Sequence, residues 1–138
     1  MSANDRFFVD TNLLLYSFSA NEPNKRLLAE QWLSAIWPTG NAKISWQVVN
    51  EFYSNAIRKF GVPVDVARTF TEQLVLWNPE PQTEAILKRG WYWCDTAKVN
   101  YWDSLIIAAA EQCGCRYLLS EDLQANRKFG EVEIINPF

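Results

Sequence analysis

Four short runs set the frame of this chain: RFFVD (6–10), AKISW (42–46), RYLLS (116–120) and EVEII (131–135). The first is continuously apolar up to its acid, as expected of a strand covered on both faces. Between the runs lie segments of helical spacing. After Pro23 come Leu27, Leu28, Trp32, Leu33 and Ile36, with Gly40 beyond the end. QVVNEFYSNAIRKF (47–60) sets Val48, Phe52 and Ile57 on one face and stops at Gly61. Asp65 is placed to cap a helix reaching Leu76, and the loop NPEPQ then breaks the chain. Thr83 opens a helix containing Trp91 and Trp93, while Asn100 caps YWDSLIIAAAEQC, which Gly114 ends. RYLLS follows as the third strand and EVEII as a fourth at the sheet edge.

Short strands alternating with helices predict an α/β fold, a three-layer α/β/α sandwich with a central, mainly parallel sheet of four to five strands. Right-handed crossovers put helices on both faces of such a sheet. The 138 residues, with no repeat or linker, predict a single domain spanning 1–138. In a parallel sheet every strand ends, and every following helix begins, along one rim, and ligands bind there.

Four acids fall on that rim. Asp10 ends the first strand, Glu51 lies near the start of the helix after the second, Asp103 follows the cap Asn100 by three residues, and Asp122 follows the third strand in LLSEDL. Acids at helix starts are ordinarily explained by capping and the helix dipole. Asp10 in FFV-D and Asp103 in YW-D-SLII, however, have apolar neighbours that solvated capping acids seldom have. An unpaired buried carboxylate costs several kcal/mol or takes up a proton. Converging carboxylates repel and shift towards protonation unless cations are present. A hard divalent ion, Mg²⁺ or Mn²⁺, resolves the conflict, because it takes oxygen ligands and commonly binds substrate phosphates as well. A phosphodiester is then the natural substrate, since such ions activate water and neutralise the leaving oxygen. Thr11, Asn12 and Ser120 stand beside the acids and are expected to orient them, or to serve only as turn and cap residues.

The rest of the composition excludes alternatives. The chain has no histidine, which removes the usual serine and cysteine hydrolase triads, histidine acid–base pairs and, with no CxxC pair among three cysteines, a zinc site. Those cysteines are expected to be structural thiols in a reducing cytoplasm. No apolar run approaches the roughly 18 residues of a membrane span. Asp5 and Arg6 precede the first apolar stretch, so no signal peptide and no membrane contact are expected. The net charge of −3 argues against a broad basic nucleic-acid-binding face. Pairs such as Lys25-Arg26, Arg58-Lys59, Lys88-Arg89 and Arg127-Lys128 remain able to line a phosphate path or to be solvated helix faces.

With these residues in place, the sequence resembles a PIN-domain nuclease of the VapC toxin type. The resemblance is carried by VDTNLLLY (9–16), the glutamate of VVNEFY (48–53), YWDSLIIAAA (101–110) and LLSEDLQ (118–124), in that order. It implies Asp10, Glu51, Asp103 and Asp122 as an acidic metal cluster, with Ser120 in the family's Thr/Ser-x-Asp position. It also implies Mg²⁺-dependent (or Mn²⁺-dependent) endoribonuclease activity on RNA, a homodimer, and inhibition by a small cognate antitoxin. Two other readings compete: a non-catalytic module that binds RNA or a protein partner, and an aspartate-based phosphatase. The phosphatase pattern Asp-x-Asp-x-Thr fails at Asn12. Seven tryptophans default to core or dimer packing. For Trp91, Trp93 and Trp102, which lie near one another in sequence, base stacking on single-stranded RNA is the functional alternative. The helix with Trp32 and Trp37, or an exposed part of 91–93, is a candidate antitoxin groove.

Overall fold

The computed structural model describes residue 2 and residues 4–138. Its five strands are β1 (Phe7–Val9), β2 (Ala42–Lys43), β3 (Tyr117–Leu119), β4 (Lys128–Phe129) and β5 (Val132–Ile135). Its helices are α1 (Thr11–Tyr16), α2 (Pro23–Ile36), α3 (Trp46–Arg58), α4 (Val64–Val75), α5 (Glu84–Ala97) and α6 (Tyr101–Gln112). The sheet order is β2-β1-β3-β5-β4, parallel throughout except for the β4–β5 pair. This is the expected α/β sheet in its five-stranded form. Helices α1 to α4 pack together, and α5 packs along α6, which also touches β3 and β5.

The central strands β1 and β3 are buried at every residue. Phe8, Val9, Leu118 and Leu119 are fully buried, so the sheet centre has no solvated side, as in parallel sheets generally. Phe52, Leu14, Leu74, Ile107 and Phe129 complete the core.

Three helices start at a side-chain acceptor, and two of these, Thr83 and Asn100, are the caps expected from the sequence. Ser45 caps α3 by accepting from Val48 N, Thr83 caps α5 by accepting from Ile86 N, and Asn100 caps α6 by accepting from Asp103 N. Gly114 terminates α6 at φ +69°, a left-handed conformation that a side chain would disfavour.

Several expectations are corrected. EVEII is not at the edge: β4 and β5 form an antiparallel pair that places Lys128 and Phe129 outside it. AKISW yields only a two-residue strand, because Ser45 is drawn into capping α3 and bridges Glu80 across the sheet margin. Asp65 does not cap α4. Pro63 occupies that position and Asp65 lies in the first turn, where the helix dipole still favours it. Leu27, expected on the buried face of α2, is exposed. A helix, α1, begins directly at Thr11, where only a turn was expected.

The order of crossovers matters for function. From β1 the chain moves to β2 on one side and then returns to β3 on the other, so the winding reverses between β1 and β3. The carboxyl ends of those strands therefore diverge around a crevice. Asp10 follows β1 and Ser120 follows β3 directly.

Candidate metal and phosphodiester site

The crevice is built by hydrogen bonds between the two strand ends. Asp10 is 7% exposed. One of its carboxylate oxygens accepts from Thr11 N at 2.7 Å and the other from Ser120 Oγ at 2.8 Å. Both bonds stabilise the charged form, yet burial outweighs them and, with Asp122 and Glu51 adding repulsion, pushes the Asp10 carboxyl up to about 7. Asp10 thus does cap α1, and the capping role does not remove its strain.

The other three acids come from separate elements: Glu51 and Asp122 act on Asp10, and Asp103 is coupled to those two. Glu51, which lies in the second turn of α3 rather than at its start, accepts from Thr11 Oγ1 at 3.4 Å and from the Gln47 amide. Asp103, from the first turn of α6, accepts from Asn100 Nδ2 at 2.7 Å, and its backbone N–H donates to Asn100 Oδ1 at 2.9 Å. Asp122, in the loop after β3, accepts from Asn12 Nδ2 at 3.1 Å, and its N–H donates to Ser120 Oγ at 3.2 Å. Desolvation raises all three carboxyls, and each also feels another acid: Asp103 and Asp122 act on Glu51, Asp122 acts on Asp103, and Glu121 acts on Asp122. The four acids therefore share one electrostatic field, although among the described residues no three such groups stand at ligand spacing for a metal ion.

Sequence reasoning missed Gln47 and Glu121, and named Lys25 only as part of a basic pair able to line a phosphate path. Gln47, 7% exposed, sits one turn before Glu51 and donates from Nε2 to the Trp102 carbonyl at 3.2 Å. It ties the Glu51 carboxylate to the turn that presents Asp103. Its i, i+4 spacing to Glu51 was a legible signal. Lys25 and Glu121 form an ion pair at 2.9 Å, with the Lys25 ammonium 4.6 Å from the centre of the Tyr16 ring. That cation partly offsets the raising of Asp122. Nothing local in sequence joins α2 to the loop after β3, so no such signal existed for Lys25.

The tryptophans divide. Trp93 is 9% exposed, meets Phe129 edge-on at 5.3 Å, and donates its indole N–H to Glu111. Trp91 is half exposed on α5, and Trp102 is largely exposed on α6. The three are not one cluster with one role. The cysteines are free thiols, with Cys115 buried.

A mainly parallel sheet with a buried acid at its switch point and three less buried acids coupled to it defines the class of acid-centred α/β domains. The sequence model of the PIN domain matches residues 7–130, and the chain belongs to that family. Among solved structures, a toxin–antitoxin complex from Klebsiella pneumoniae is 22% identical, with a TM-score of 0.72 and coverage of 97% of this chain and 98% of that one. VapC20 of Mycobacterium tuberculosis, described as a sarcin–ricin loop cleaving toxin, is 19% identical, with a TM-score of 0.65 and coverage of 81% and 86%. At these identities the likeness is one of fold. Comparison with curated proteins gave no significant match. No helix among the described residues is long and apolar enough to cross a membrane.

Proposed function

We propose that this protein is a Mg²⁺- or Mn²⁺-dependent endoribonuclease that hydrolyses phosphodiester bonds in RNA, acting as the toxin of a toxin–antitoxin pair. The observation that carries the reading is the buried Asp10 carboxylate at the β1–β3 crevice, fixed by Ser120 Oγ and Thr11 N, with Glu51 and Asp122 close enough to act on it and Asp103 coupled to both. Membership of the PIN family and the shared fold with VapC20 support a nuclease.

The donor set suits a hard divalent ion: it is all carboxylate, it has no histidine, and its repulsion in the apo state is relieved by positive charge. Asp10, Glu51, Asp103 and Asp122 would hold the ion. When bound, it lowers the pKa of water and neutralises charge developing on the leaving oxygen. The chain's own groups do the rest. Ser120 and the Thr11 N–H keep the Asp10 carboxylate aimed from the strand end, and Thr11 Oγ1 with Gln47 fixes Glu51. Asn12 and the Ser120 hydroxyl hold Asp122, while Asn100 holds Asp103. Such supporting hydrogen bonds orient ligands and tune their basicity. The phosphatase reading loses further ground, because the Asn12 amide is committed to Asp122 and Glu121.

Partners follow from the same reading: an RNA substrate, a second copy of the chain, and a cognate antitoxin. The toxin–antitoxin complex of the Klebsiella neighbour supports the last. So does an apolar groove of about 490 Å³, whose lining includes Leu33, Trp37, Phe70, Leu76 and Trp77.

The test is cleavage of single-stranded RNA by purified protein, with Mg²⁺ or Mn²⁺ and with chelator. Metal-dependent cleavage is expected, and Asp10→Asn removes it while circular dichroism stays native. Undiminished cleavage by Asp10→Asn would sink the assignment.

A further inference from the structure

We propose that Trp102 and the amides beside it form a seat for one unpaired nucleobase of single-stranded RNA. The inference rests on the nuclease reading above and specifies how that site grips its substrate.

Trp102 is out of keeping with its helix. Every residue of α6 from Ser104 to Ala110 is buried, whereas Trp102 is 63% exposed. Exposure on this scale leaves a large apolar ring in water. Its backbone is nevertheless pinned, because the Trp102 carbonyl accepts from the buried Gln47 amide at 3.2 Å. The ring therefore stands on a fixed mount.

It borders an open recess of about 420 Å³ whose other walls are Gln47, Asn50, Glu51 and Gln82. Trp102 and Gln82 also line an adjoining recess with Tyr101. Two of the four acids are immediate neighbours: Glu51 lines the same recess, and Asp103 is the next residue in the chain. A phosphate engaged at the acids thus brings a flanking base to the indole.

The lining matches a base better than a protein segment. An indole offers a π-face on which any base stacks. Glutamine and asparagine amides offer a donor and an acceptor each, as the edge of a base does. Gln47 is committed to Trp102 and Glu51, while Asn50 and Gln82 lie exposed at the recess. Gln82 Nε2 donates to Gln47 Oε1 at 3.4 Å, a long bond that a base edge can replace. The surface suited to an apolar helix lies elsewhere, between α2 and α4 at Leu33, Trp37 and Leu76. A chain of net charge −3 also lacks the long-range attraction that feeds most nucleic-acid affinity, so short-range stacking has to supply it.

The test uses full-length protein carrying Asp10→Asn to block cleavage, and a fluorescent single-stranded oligoribonucleotide of mixed sequence. Adding Trp102→Ala is expected to weaken binding about 5- to 150-fold, the range for losing one base stack, while Trp102→Phe retains most of it. Replacing one nucleotide by an abasic linker should reproduce the loss at a single position and add nothing on top of Trp102→Ala. Equal affinity for Trp102→Ala and indifference to every abasic substitution would overturn the proposal. So would unchanged RNA affinity with an altered oligomeric state by light scattering, which assigns the ring to an interface between copies. Cleavage by the unmodified protein is scored alongside. RNA binding that depends on Trp102 without any cleavage sustains the base seat and refutes the nuclease reading, whereas cleavage indifferent to Trp102→Ala does the reverse.

Discussion

Asp10 makes the apo protein less stable as the pH rises, and Asp10→Asn exposes this directly. The carboxyl titrates near 3.8 in an unfolded chain and at about 7 in the fold. Between those values the native state keeps a proton that the unfolded state has released, so stability falls with rising pH through this window and levels off above it. At about 1.4 kcal/mol per pKa unit, a difference of about three units amounts to roughly 4 kcal/mol at pH 8. Near pH 5 only about one unit is expressed, or roughly 1.5 kcal/mol. Asparagine carries no charge to desolvate, but accepts less strongly from Thr11 N and Ser120 Oγ, a loss of about 1 to 2 kcal/mol. The stability of Asp10→Asn relative to the native sequence should therefore rise by about 2 to 3 kcal/mol between pH 5 and pH 8, with the variant ahead at pH 8. Urea unfolding followed by tryptophan fluorescence, in chelator, measures the difference at each pH. A pH-independent difference, or a variant less stable at pH 8, would refute the account of Asp10 as a buried, strained acid.

Other outcomes follow from the same geometry. Glu51→Gln, Asp103→Asn and Asp122→Asn should each lower RNA cleavage by roughly a hundredfold or more, as loss of preorganised charge at a reacting centre does, with native circular dichroism. Ser120→Ala removes a bond that holds the Asp10 carboxyl down, so Mn²⁺ affinity, which needs the deprotonated acid, should rise at higher pH than in the native sequence; isothermal titration across pH checks this. Saturating Mn²⁺ at pH 8 should raise the melting temperature of the native protein and leave Asp10→Asn much less affected. Asn100→Ala uncaps α6 and frees Asp103. It should cost about 1 kcal/mol of stability by denaturation and lower cleavage as well.

Much of the architecture was legible because it rests on local patterning. The run FFV, the caps Thr83 and Asn100 and the stop at Gly114 each act within a few residues. What failed did so where a distant group competed. Ser45 left its strand to cap α3 and bridge Glu80. EVEII became internal because β4, too short to announce itself, folds back on it. Leu27 followed the helical spacing yet faces solvent, since spacing says which residues share a face and not whether that face is covered.

The same division runs through the candidate site. The sequence by itself determined that Asp10 and Asp122 follow strands, that Asp103 lies in the first turn of a helix, that no histidine competes with them, and that short strands alternate with helices. Each of those is a matter of residue type and near-neighbour order. Only the tertiary structure decided that the winding reverses between β1 and β3, opening the crevice in which Ser120 reaches Asp10 across 110 positions of chain. It alone joined Gln47 to Trp102 and Lys25 to Glu121, and left the Trp102 ring in solvent while burying Trp93. Hydrogen bonds and desolvation depend on what lies within a few ångströms, and which residues come that close is set by how the layers pack.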